Sequence, residues 1–225
     1  MKRAFLLLAV MAAPAVARPA APPAICSEPI KPQLFISPMG EPFRPKGDDD
    51  NPPRRWFDQA DRDHDGKLTI GEMMLDGDRF FATLDKDHNG ELLPDEVYAY
   101  EQDVAPEIRL YQRRPGGERG APRAERDDER QRSQRYKGGP PGFDGATGAG
   151  RYGFLNIPNP VASADDDINR AVSAKEFRAA AAERFRDLDP NQSKALTLAQ
   201  LPSTPAQIAA NAACLARVKE AKARR

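Results

Sequence analysis

Long apolar runs are missing from this sequence. The longest, Ala4 to Ala13, has ten residues, well short of the ~20 that a membrane-crossing helix needs. Histidine is nearly absent, with only His64 and His88, so neither a Ser-His-Asp set nor a zinc-type ligand spacing is present. A glycine-rich phosphate loop is lacking as well. Together these absences argue against an enzyme. An excess of one charge is also missing, since 34 Lys+Arg stand against 34 Asp+Glu. Only 40% of residues are hydrophobic and 30% are charged. The 22 prolines and 16 glycines amount to ~17% of the chain, against an average near ~12%. Such a composition disfavours one large core and predicts small ordered units joined by unstructured stretches.

The N-terminus reads as an address. Met1-Lys2-Arg3 is basic, the apolar run follows, and Ala15-Val16-Ala17 forms a small-residue cleavage site. Residues 1–17 are therefore expected to be a secretory signal peptide, which makes the protein periplasmic or secreted and not membrane-spanning. Cys26 and Cys214 then lie in a compartment where disulfides persist. If paired, they close a loop of roughly 190 residues, for which chain entropy gives about 4–5 kcal/mol. Two free thiols or an intermolecular bridge are the alternatives.

The balanced total hides segregation of charge. Residues 58–101 carry thirteen acids and four bases, whereas residues 107–151 carry seven acids and eleven bases. The last 25 residues add a further net +4. Export and the acidic first half argue against nucleic-acid binding, while the basic stretch offers a surface for an acidic polysaccharide or an envelope protein.

A twelve-residue pattern sits inside the acidic half. Asp61, Asp63 and Asp65 occupy positions 1, 3 and 5, Gly66 follows at 6, Lys67 stands at 7, and Glu72 closes the pattern at 12. It returns 24 residues later as Asp85, Asp87, Asn89, Gly90, Glu91 and Glu96. A hard cation such as Ca²⁺ takes six to eight oxygens. Alternate short side chains of a tight loop supply three of these, a terminal glutamate supplies two, and position 7 offers its backbone carbonyl. The two loops resemble EF-hands, and the pair is similar to the calcium-binding EF-hand proteins exported by bacteria. That resemblance implies Ca²⁺ as the cofactor. It also implies that His64 and His88, at position 4, point away from the ion into solvent.

Two further loops are degraded. Residues 165–176 keep Asp165, Asp167, Asn169 and Glu176 but carry Arg170 where glycine is expected. A left-handed residue other than glycine costs roughly 1–2 kcal/mol, so a weaker site is expected there. Residues 189–200 keep Asp189 as their one carboxylate, with Lys194 at position 6 and Gln200 at 12. They read as a structural partner loop. Apolar residues recur around all four loops: Leu68, Leu92, Val172 and Leu196 at position 8, and Met73, Val97, Phe177 and Leu201 at 13. By the resemblance, position 8 belongs to a short β-bridge between paired loops.

Twelve residues separate the loops of each pair, which is about 18 Å of helix. Two very short helices are expected in the first pair, broken at Asp76-Gly77-Asp78. Ala179 to Ala182 favour one continuous helix in the second pair, and unbroken helix would prevent its two loops from pairing side by side.

The expected fold is mainly α: EF-hand pairs with short loop–loop β-bridges, plus a disordered arm and linker. Its expected parts are a Pro-rich extended arm (18–52), a first pair (53–106), an Arg/Gly/Pro-rich disordered linker (107–151), a degenerate second pair (152–203) and a C-terminal helix (204–225). Tyr152 to Ile157 are expected to pack on the second pair, and Ile208, Ala212, Leu215 and Val218 to form the buried stripe of the last helix. Met73 and Met74 are read as core, or as the lining of a groove exposed by calcium. The expected function is non-enzymatic calcium binding, structural or modulating docking to an envelope partner. The alternative is a sensor that exposes an apolar groove to a protein partner.

Overall fold

The structure, a computed structural model, describes residues 25–109 and 145–224. The expected signal peptide and most of the expected linker lie outside the described residues. Within them the architecture is mainly α, with small antiparallel sheets. Helix α1 (Pro52–Ala60) starts at Asn51, whose side chain accepts the Arg54 N–H at 3.2 Å. Pro52 and Pro53 fill its first turn, where an absent N–H costs no hydrogen bond. Trp56, Phe57 and Ala60 form its buried face.

Two helices carry the centre of the fold. The short strand β3 (Leu68–Thr69) leads into α2 (Ile70–Leu84), and β4 (Glu91–Leu92) precedes α3 (Pro94–Ala99). In the second half β5 (Val172–Ser173) leads into α4 (Ala174–Leu188), followed by β6 (Ala195–Leu196) and α5 (Pro205–Ala223). Reciprocal caps start both central helices: Thr69 with Glu72 on α2 and Ser173 with Glu176 on α4. Each cap satisfies two otherwise orphaned N–H groups.

The expected break at Asp76-Gly77-Asp78 does not occur; α2 runs unbroken for 15 residues. Gly77 is there for packing. A Cβ on it would lie 3.3 Å from the Ala181 Cβ of α4 and 3.6 Å from Met39 Cγ, so its lack of a side chain lets the two helices cross closely. Asp76 is buried and accepts the Trp56 indole N–H at 3.0 Å and the Arg79 guanidinium at 2.7 Å. Asp78 pairs with Arg178 across the crossing.

Continuous central helices forbid side-by-side pairing of consecutive loops, which corrects the pairing expected in the first half; in the second, the unbroken helix favoured by Ala179 to Ala182 is present, and its two loops do not pair. β3 pairs antiparallel with β6, Leu68 opposite Leu196, and β4 pairs with β5, Leu92 opposite Val172. The first loop therefore meets the fourth and the second meets the third. Loops 61–72 and 165–176 are 104 positions apart, as are 85–96 and 189–200, and so are Gly77 and Ala181 at the crossing. The pairings are those of a two-fold relation between the halves.

The arm is not extended throughout. β1 (Phe35–Ile36) and β2 (Pro42–Phe43) form a hairpin, Phe35 opposite Phe43, with Phe35, Ile36 and Met39 at most 1% exposed. Apolar surface explains the difference from expectation, because four buried large side chains offset the ordering of this stretch despite its prolines. The Phe154 ring lies tilted 4.7 Å from Phe35 and edge-on 5.8 Å from Trp56. The 152–157 stretch therefore packs on the hairpin and α1. Both ends of the expected linker are ordered too: Ile108 and Ala149 are buried in turns Pro106–Ile108 and Gly148–Arg151.

Arg184 of α4 is 4% exposed and ties hairpin to body. Its guanidinium donates to the carbonyls of Pro38 at 3.0 Å and Pro160 at 2.8 Å and to Ser163 Oγ at 3.0 Å. Burial lowers it to about 10, so it stays cationic at neutrality. The last helix starts at Thr204 as expected, but its anticipated stripe is not buried. Ile208 is 44% exposed and Ala212, Leu215 and Val218 are half-buried; Ala206 and Cys214 face inward instead. Cys214 is joined to Cys26 in a disulfide, with Cα atoms 6.1 Å apart.

Candidate metal centres

Each of the four loops adopts one backbone. Position 4 is left-handed in all of them, at His64, His88, Ile168 and Gln192, with φ between 53° and 59°. Position 6 is left-handed again, at Gly66 (81°), Gly90 (86°), Arg170 (76°) and Lys194 (68°). Arg170 and Lys194 thus accept the strain that glycine avoids. In every loop the position-1 aspartate accepts the N–H of position 6: Asp61 from Gly66 at 2.9 Å, Asp85 from Gly90 at 3.0 Å, Asp165 from Arg170 at 2.9 Å, Asp189 from Lys194 at 2.7 Å. The left-handed position 4 was not anticipated from the sequence, and no shared property of His, Ile and Gln announces it.

Carboxylates gather in three of the loops. Asp61, Asp63 and Asp65 form one group, Asp85, Asp87 and Glu96 a second, and Asp165, Asp167 and Glu176 a third, each with one oxygen per residue within 4.8 Å of the others. Oxygens on opposite sides of a calcium ion, at about 2.4 Å each, stand about 4.8 Å apart, so the spacing fits a shared cation. Among the described residues the fourth loop shows no such group.

The first loop holds an unsatisfied acceptor. Asp61 is 4% exposed, and its Oδ1 is the one buried side-chain nitrogen or oxygen among the described residues that has no hydrogen-bond partner. An unpaired buried carboxylate oxygen is costly unless a cation or donor meets it. Glu72 stands outside the aspartate group. Its Oε1 accepts the Arg62 N–H at 2.9 Å, and its Oε2 accepts the Thr69 N–H at 2.9 Å and hydroxyl at 2.8 Å. Burial alone would raise its pKa, but these donors outweigh it and hold the carboxyl below its ordinary range. The Lys67 and Glu91 side chains are exposed, as are His64 and His88.

The second and third loops share most of their hydrogen bonds. The Asn89 N–H donates to Asp85 Oδ1 at 3.2 Å and to Asp87 Oδ1 at 3.1 Å; the Asn169 N–H donates to Asp165 Oδ1 and Asp167 Oδ1, both at 3.1 Å. The side-chain amides of Asn89 and Asn169 donate to Asp87 and Asp167 at 2.9 and 3.0 Å. Glu96 accepts the Lys86 N–H at 2.7 Å and Glu176 the Asp166 N–H at 3.2 Å, so the last glutamate clamps the start of each loop. The Ser173 hydroxyl and N–H lower Glu176 below its usual range.

In the fourth loop the carboxylate is already engaged. Asp189 Oδ1 accepts from the Ser193 N–H and hydroxyl, both at 2.8 Å, and Oδ2 from Lys194. Pro190 at position 2 has no N–H to give the closing residue, and Gln200 caps Thr197 instead. Comparison of the chain with family models, curated proteins and solved structures finds no match. The reading of these loops therefore rests on their geometry and chemistry.

Proposed function

We propose that this chain is a non-enzymatic calcium-binding protein of EF-hand type, exported to the periplasm or beyond. Loops 61–72 and 85–96 bind the ion, and loop 165–176 binds it more weakly. The observation that carries this reading is the buried, unpartnered Asp61 Oδ1 inside a group of three aspartates. A divalent cation supplies the missing partner and offsets the repulsion of three carboxylates held together. All-oxygen donors favour Ca²⁺ or Mg²⁺ over softer metals. Six to eight flexible ligands favour the larger ion.

The role that fits best is structural. Loops at both ends of the crossed helices would be stiffened by the ion, which adds stability by mass action. Met73 is fully buried in the core, so a sensor would have to bring it to the surface when calcium binds. Export is supported by the Cys26–Cys214 disulfide, a bond that persists in oxidising compartments.

Calorimetric titration of calcium into the full oxidised chain, beside a Glu72→Gln, Glu96→Gln double variant, tests the proposal. Two or three sites in the wild type, with those of the first half lost in the variant, are expected, together with a higher melting temperature in calcium. Absence of heat and of any change in melting temperature at saturating calcium would overturn it.

A further inference from the structure

We propose that the Cys26–Cys214 disulfide is a redox-sensitive clasp for the C-terminal helix: reducing it frees α5 and the arm from Cys26 to Gln33, while the crossed-helix core, with Leu34 packed on it, stays folded. The inference stands apart from the metal reading. Its basis is where the bond sits. The core contains Phe35, Trp56, Met73, Tyr100, Phe177 and their neighbours, and no residue from 202 to 224 belongs to it. Across 19 residues α5 buries only Ala206 and Cys214. Among the described residues before Phe35, Cys26 alone is buried.

Two segments outside the core are thus fastened to each other. Beside the covalent bond, the Cys26 N–H donates to Asn211 Oδ1 at 2.8 Å, and α5 rests on the Gly148–Arg151 turn. Segments with little buried apolar contact open at the lowest free energies. A covalent tie is what such a helix needs to stay docked. Ala206 and Cys214 are small, so their burial alone contributes little.

The chemistry is thiol–disulfide exchange with a dithiol reductant. Cys26 is the more exposed half, at 8% against 1% for Cys214, and is flanked by exposed Ile25 and Ser27. A reductant thiolate attacks Cys26 Sγ, the S–S bond breaks, and Cys214 leaves as a thiolate that takes up a proton. The reductant's second thiol then displaces Cys26 as a thiol and closes the reductant's own disulfide. Two electrons pass from dithiol to protein. With the bond gone, α5 keeps the Asn211 contact to Cys26, its half-buried Ala212, Leu215 and Val218 and its rest on the Gly148–Arg151 turn, but no covalent tie.

Hydrogen exchange read by mass spectrometry tests this on the full chain, oxidised and after dithiothreitol with thiol alkylation. A Cys26→Ser, Cys214→Ser variant provides a second route free of reductant. Reduction is expected to speed exchange across 205–223 and 26–33 by about tenfold or more, with α2 and α4 unchanged. Three results would overturn the proposal: equal protection of α5 in both states, loss of protection in α2 and α4 as large as in α5, or a bond that dithiothreitol fails to reduce in the native protein.

Discussion

Gly77 on α2 and Ala181 on α4 meet where the two central helices cross, and a methyl group on Gly77 would come within 3.3 Å of the Ala181 Cβ. The contact decides the topology, because it holds two unbroken helices face to face and leaves a loop at each of their four ends. Gly77→Val places a branched side chain into that crossing and against Met39. Overpacking of this kind costs about 1–3 kcal/mol, and glycine's poor helix propensity returns at most about 1 kcal/mol to any replacement. A lower urea midpoint with an unchanged m-value is the expected result. A midpoint equal to or above that of the wild type would show that the helices can separate at no cost.

The loops were legible in the sequence and their pairing was not. Positions 1, 3, 5, 6 and 12 of loops 61–72 and 85–96 carry their chemistry in residue type, so Asp61 or Glu96 can be read without a structure. Leu68, Leu92, Val172 and Leu196 are interchangeable as strand residues, and nothing local says that Leu68 faces Leu196 instead of Leu92. Connectivity follows from helix continuity. That turned on Gly77, whose neighbours Asp76 and Asp78 suggest a turn until Trp56, Arg79 and Arg178 are seen to satisfy them. Prolines likewise masked the hairpin, although Phe35, Ile36 and Met39 announced buried surface. The T-x-x-E and S-x-x-E caps at Thr69 and Ser173 were readable signals of where α2 and α4 begin.

Arg184 takes, in the second half, the place that Phe80 has in the first, 104 positions earlier. Phe80 lies edge-on to Tyr100, whereas Arg184 reaches the carbonyls of Pro38 and Pro160. Arg184→Met keeps the aliphatic bulk and removes the donors. Each buried carbonyl left unpaired costs about 1–3 kcal/mol. The loss is expected to appear as a lower melting temperature, and Arg184→Lys should recover part of it. A variant as stable as the wild type would mean that water replaces the guanidinium.

Acid should weaken the metal-free protein over a defined range. Glu72, Glu107 and Glu176 are all held below their ordinary value of 4.5. For Glu72 and Glu107 burial opposes the shift, and the donors of Thr69 and Arg62, and of Arg44, outweigh it; for Glu176 the Ser173 hydroxyl leads. A carboxyl depressed in the folded state stabilises it above the unfolded pKa, and that contribution disappears as pH falls through the folded pKa. Melting temperature in chelator should therefore be level from neutrality to about pH 5 and fall below it. Glu107→Gln, away from the loops, should make that fall shallower.

The strand pairs divide the proposed calcium sites unequally. Loop 85–96 is joined to loop 165–176 through Leu92 and Val172, and both hold a carboxylate group. Loop 61–72 is joined to loop 189–200, where Asp189 is already engaged by Ser193 and Lys194. Ordering one loop of a pair stiffens its neighbour, so coupling should run between the second and third loops and bypass the first. Glu96→Gln should then weaken binding at loop 165–176, whereas Glu72→Gln should remove one site and leave that loop's affinity unchanged. Chemical shifts of the left-handed Arg170 and of Ala171, followed through a calcium titration of each variant, report occupancy of that loop directly. Equal effects of the two substitutions there would mean that coupling passes along α2, from Glu72 to Asp85, and not across the strands.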